Sequence, residues 1–98
     1  ASWPAGPDGV RRLALLDDPA FPERIHLEAR DAGRQGRLAD PAGLELFVLD
    51  GALRVDGTPL PRHGWLRLPP GDPGVQLEAE TATRLWCKRG GVRLLADA

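Results

Sequence analysis

One cysteine, one lysine, one serine and two histidines among 98 residues exclude several chemistries at the outset. A lone Cys87 forms no intrachain disulfide, so the fold must hold by packing, and this usage suits the cytoplasm. Ser2 is the only serine and lies in no recognisable elbow, which argues against a Ser-His-Asp hydrolase. His26 and His63, with one cysteine, supply no Cys/His ligand cluster of the zinc-domain kind. Apolar runs are only a few residues long, too short to span a membrane, and no stretch has the character of a signal peptide. Charge is balanced at 13 basic and 14 acidic residues, so there is no general attraction to nucleic acid or to an anionic membrane. Twelve of the basic residues are arginine, which reads as genome composition rather than chemistry.

Long helical periodicity is also missing. Pro4, Pro7, Pro19 and Pro22 break up the N-terminal third, and "DDPAFPE" holds one helical turn at most. What is abundant is turn chemistry: 12 glycines and 10 prolines, spread without low-complexity runs. Between the turns lie short strands. "VRRLALL" (10–16) is the first, and "RIHLEAR" (24–30) alternates cleanly. In the latter, Ile25, Leu27 and Ala29 share one face, and Arg24, His26, Glu28 and Arg30 a polar one, on which His26 is expected to be solvated or hydrogen-bonded, with a catalytic base as the alternative. "LELFVL" (44–49) and "ALRV" (52–55) flank Asp50-Gly51, a strong hairpin signal, and Asp56-Gly57 marks a second turn. "WLRL" (65–68), "VQLEAE" (75–80), "TRLWCK" (83–88) and "VRLL" (92–95) complete a set of about eight strands. "GRQG" (33–36) and "GDPG" (71–74) read as loops without the context of a phosphate-binding motif. The spacing predicts a single all-β domain over 1–98, a small antiparallel barrel or sandwich, with 1–9 as an N-terminal arm.

Three stretches resemble a known family. "E-LFVLD-G" (45–51) is similar to the end of the first cupin motif, and "GWLRLPPGDPG" (64–74) to the second. The opening "W-P…PDGV…L-ALLDD" resembles the entry segment of the ChrR-like anti-sigma cupins. The resemblance implies a double-stranded β-helix barrel and a homodimer formed through the outer sheet. It also implies a metal held by an H-x-H pair, a glutamate and a later histidine. Those positions fall on Leu38, Asp40, Glu45 and Gly74. Leucine and glycine side chains offer no donor, so the expectation is a metal-free cupin without a cofactor. Glu45 then needs another partner, with Arg54, Arg67 and Arg84 as candidates. The ligand-pocket candidates are Asp40, Glu45, Phe47, Trp65 and Gln76. Trp3, Trp65 and Trp86 are expected to fill the core or cover a barrel end, and Cys87 to be a buried, inert thiol unless exposed beside Arg84, Lys88 and Arg89.

The functional reading is a non-catalytic small-molecule-binding or regulatory module. Anti-sigma activity is not carried over, since it needs a zinc domain. One alternative is a metal-dependent dioxygenase or isomerase using ligands such as Asp40 and Glu45. The other is a structural or partner-binding domain, favoured by an interior packed with Leu38, Phe47 and other large side chains.

Overall fold

A computed structural model describes residues 10–20 and 23–90. Among the described residues nine strands follow one another without a helix: β1 (Arg11–Leu16), β2 (Arg24–Arg30), β3 (Gln35–Leu38), β4 (Leu44–Asp50), β5 (Leu53–Val55), β6 (Thr58–Leu60), β7 (Trp65–Leu68), β8 (Val75–Ala79) and β9 (Thr83–Arg89). They form a five-stranded sheet in the order β1-β2-β9-β4-β7 and a four-stranded sheet in the order β3-β8-β5-β6. The strand pairings in both are antiparallel.

Two-residue periodicity builds the core. Leu44, Leu46 and Val48 of β4 and Leu85 and Cys87 of β9 point inward from one sheet. Leu38 of β3, Leu53 of β5, and Val75, Leu77 and Ala79 of β8 meet them from the other. These residues are between 0% and 8% exposed, so the interior here is filled aliphatic packing. No aromatic side chain of the described residues belongs to it. Trp65 is instead 56% exposed and Trp86 half-buried on the outer face; Trp3 lies outside the described residues.

Two turn expectations resolve differently. Asp56-Gly57 closes a two-residue hairpin between β5 and β6, with φ of 49° and 82° and Val55 opposite Thr58. Asp50-Gly51 does not close one, because β4 and β5 belong to different sheets. It is a corner where the chain changes sheet. Gly51 has a φ of +88°, and a Cβ there would lie 2.4 Å from the Ala82 carbonyl oxygen. An Asp-Gly pair specifies left-handed backbone; whether the flanking strands pair is decided by where their apolar faces are buried.

The expected loop at 33–36 contains the start of β3, and Thr58–Leu60 is a further short strand. Both were hidden by composition. β3 places Gly36 and Leu38 inward, too little apolar surface for a strand signal. β6 carries Pro59, tolerated because β6 is an edge strand. The expected strand at 92–95 and the arm at 1–9 lie outside the described residues.

Candidate binding cleft

β2 turns its charged face inward. His26 stands opposite Ala14 of β1 and Cys87 of β9, Glu28 opposite Arg12 and Leu85, and Arg30 opposite Thr83. That row continues into the core leucines of β9 and β4, so the polar face is interior and the apolar one exterior, the reverse of a surface strand. Glu28 is 0% and Arg30 6% exposed. Alternation reveals two faces but not which one is buried; the neighbours settle that.

A buried carboxylate has to be compensated, and Glu28 is. Its Oε1 accepts from His26 Nε2 at 2.9 Å and from Arg12 Nε at 3.2 Å, and its Oε2 from Arg30 Nε at 3.1 Å. Burial alone would push this carboxyl up. The hydrogen bond from His26 and the charges of Arg30, His26 and Arg12 outweigh it and bring the pKa from 4.5 down to about 2. Gly36 faces Arg30, and a Cβ there would be in ordinary contact with the Arg30 Nη1 at 3.6 Å. The Cys87 thiol beside this cluster is pushed up by burial and by the Glu28 charge, against the weaker opposite pull of Arg89, Arg30 and Arg12. It is a buried thiol, not an activated one.

Outside this network opens a cleft of about 250 Å³. Ala14, Leu16 and Ile25 give it an apolar wall; Arg12, Arg24 and Arg89 give it a cationic one, and His26 and Asp17 complete the lining. Asp40 holds two of these arginines, at 3.8 Å from Arg24 Nη2 and 3.4 Å from Arg89 Nη1. Arg89 Nη1 also donates to the Ala39 carbonyl at 3.3 Å.

The residues singled out in the sequence are dispersed. Asp40 reaches the cleft, through its arginines. Glu45 points outward, half-buried, and accepts from Trp65 Nε1 at 3.1 Å. In register it stands between Arg67 and Lys88, so Arg67 is its neighbour among the expected arginines. Arg54 instead pairs with Glu80 at 3.4 Å, and Arg84 stands opposite Ala29 and Asp50. Phe47 shares the outer face with Glu45 and stacks on His63, ring centroids 5.9 Å apart. Gln76 is exposed on the four-stranded sheet, its backbone N–H donating to Asp56 Oδ1 at 2.8 Å. Glu45, Phe47 and Trp65 thus come together, but on the wrong side of the sheet for an interior pocket.

The positions expected to carry metal ligands do not fit a metal. Leu38 is in the core, Glu45 faces out, and the side chain facing in beside it is Leu44. At Gly74 the φ is +100°, and a Cβ would lie 2.6 Å from the Leu38 carbonyl oxygen, so no histidine is accommodated there. A different trio, His26, Glu28 and Cys87, brings donor atoms within 4.8 Å of one another. The sequence concealed it because Cys87 is far from His26 along the chain and meets it only by strand pairing. It suits a cation in number but not in charge, since both Glu28 oxygens already serve guanidinium or imidazole.

No family model matches the sequence, and no curated protein matches it. Solved structures do. An acetylacetone dioxygenase from Acinetobacter johnsonii superposes with a TM-score of 0.73 at 13% identity, over 85% of this chain and 60% of that one. A chain of the Rhodobacter sphaeroides complex of SigE with the anti-sigma ChrR gives 0.71 at 15% identity, over 83% and 45%. A Ralstonia eutropha JMP134 protein of unknown function with a cupin-like fold gives 0.70 at 16%, over 84% and 55%. This chain therefore spans about half the length of these three. At such identities the likeness is one of architecture, and the architecture is the cupin fold.

Proposed function

We propose that this chain is a metal-independent cupin module that binds a small molecule in the β1–β2 cleft and does no catalysis. The observation that carries the reading is that the expected ligand positions Leu38 and Gly74 offer only carbon and backbone, while Leu44 rather than Glu45 faces inward. The polar groups that do lie inside are neutralised by one another around Glu28. The similar structures include both an enzyme and a regulatory complex, so their names do not choose between these roles.

The filled centre moves the ligand from the middle of the barrel to its β1–β2 side. It also lends weight to a second role, homodimerisation. Leu13, Leu27, Trp86, Phe47 and Trp65 stand in register across all five strands of one sheet, on its outer face. Leu13 is 39% and Trp65 56% exposed, a continuous apolar row of the kind that a second copy covers. No helix among the described residues is long and apolar enough to cross a membrane, and the unpaired buried thiol is in keeping with a cytoplasmic setting.

The test is metal analysis of protein purified from cultures supplemented with iron, manganese and zinc. Contents far below one ion per chain are expected. A stoichiometric, tightly held transition metal overturns the proposal and would point to His26, Glu28 and Cys87.

A further inference from the structure

We infer that the β1–β2 cleft is a site for a small hydroxy acid, its carboxylate on Arg24 and Arg89 and its hydroxyl on His26. The inference rests on the ligand-binding reading above and names the ligand class.

Three features of the cleft lead there. First, the carboxylates that hold its arginines and its histidine stand outside the lining, in which Asp17 is the one acidic residue among the described residues. Asp40 anchors Arg24 and Arg89, and Glu28 anchors His26, yet neither Asp40 nor Glu28 belongs to the lining. Asp40 contacts one nitrogen of each arginine, and a guanidinium has five N–H donors in a planar fork matched to a carboxylate. Arg89 is held by hydrogen bonds to Asp40 and Ala39 and Arg24 by a looser ion pair, and the two guanidinium groups lining one cleft form an anion receptor. Second, His26 has a defined polarity. Glu28 is ionised and can only accept, so the imidazole donates from Nε2. Nε2 is thus taken, Nδ1 is the ring nitrogen left for a ligand, and the ring lines the cleft. A ligand hydroxyl, able both to donate and to accept, can pair with Nδ1; an alkyl group cannot. Third, Ala14, Leu16 and Ile25 require an apolar body. The space of about 250 Å³ is ample for a short-chain hydroxy acid.

The experiment is calorimetric titration of the full chain with 3-hydroxybutyrate, butyrate and inorganic phosphate, with ¹⁵N observation of the His26 ring. 3-Hydroxybutyrate is expected to bind and to shift the Nδ1 resonance, butyrate to bind about tenfold more weakly, and phosphate more weakly still. Arg24→Gln and Arg89→Gln should each weaken hydroxybutyrate about tenfold or more. Leu16→Trp, which fills the cleft while leaving the arginines in place, should abolish binding with the circular dichroism spectrum retained. Equal binding of phosphate, equal binding of butyrate, no binding by a folded metal-free protein, or binding that survives both Arg24→Gln and Leu16→Trp each overturns the inference. Metal content measured on the same preparation separates the two proposals: bound metal sinks the module reading, whereas a metal-free protein indifferent to hydroxy acids sinks this inference alone.

Discussion

Two interiors share this small fold. Between β4, β9, β8 and β5 the space is filled by leucine and valine; beside β1 and β2 it holds Glu28 ringed by His26, Arg12 and Arg30. Both are buried, yet they stabilise by different physics. The aliphatic part gains from removing carbon from water and is indifferent to pH. The ionic part balances a large desolvation cost against hydrogen bonds and charge, so it is worth little in net terms but costs much to break. The first gives the module its stability and closes the centre to ligands; the second orients the side chains that face the cleft.

Substitutions that attack one interior and spare the other test this contrast. Glu28→Ala leaves Arg30 and His26 without their anion and should cost about 3–5 kcal/mol by urea unfolding, with loss of hydroxy-acid binding. Leu77→Ala, in the aliphatic part, should cost about 2–5 kcal/mol and leave binding intact. If Glu28→Ala proves no worse than a surface change, the ionic cluster is not a structural unit.

Acid separates them further. Glu28 has a folded pKa near 2 against 4.5 for the free side chain, so its contribution is fully present above pH 4.5 and is lost as pH falls from there toward 2. The lowered value corresponds to about 3 kcal/mol. Unfolding free energies measured from pH 6 to 2 should fall in the parent and in Leu77→Ala alike, and this component should vanish in Glu28→Gln. A slope unchanged by Glu28→Gln would assign the acid sensitivity elsewhere.

Smaller effects are expected at the periphery. Gly74→His, which would restore an expected ligand, should cost about 1–3 kcal/mol through its positive φ and the contact with Leu38, without conferring metal binding. Trp65→Lys, on the outer row, should change monomer stability by less than about 0.5 kcal/mol while shifting the sedimentation coefficient from dimer to monomer. A dimer unaffected by this change places the interface elsewhere.

Composition, turn residues and two-residue alternation were enough to read an all-β fold and the limits of β2 and β7, because those signals are local: Gly and Pro punctuate, and β-strands alternate. The same alternation left open which face of each strand is inside. Glu45 attracted notice as a carboxylate among leucines, but its row faces out with Phe47 and Leu49, while the charged row of β2 faces in. Period two is symmetric between the faces, and only pairing with β9 breaks the tie. His26, Glu28 and Cys87 were each visible; that they meet was not, since contact across strands depends on register rather than on distance along the chain.

What the chain's letters alone determined is therefore the strand-and-turn grammar and the lack of donors at Leu38 and Gly74, which no folding can supply. Tertiary structure decided which side of each strand is inside. That choice is a global one, made when two sheets bury the greatest apolar area compatible with pairing every interior charge, and no single segment contains enough of either to make it.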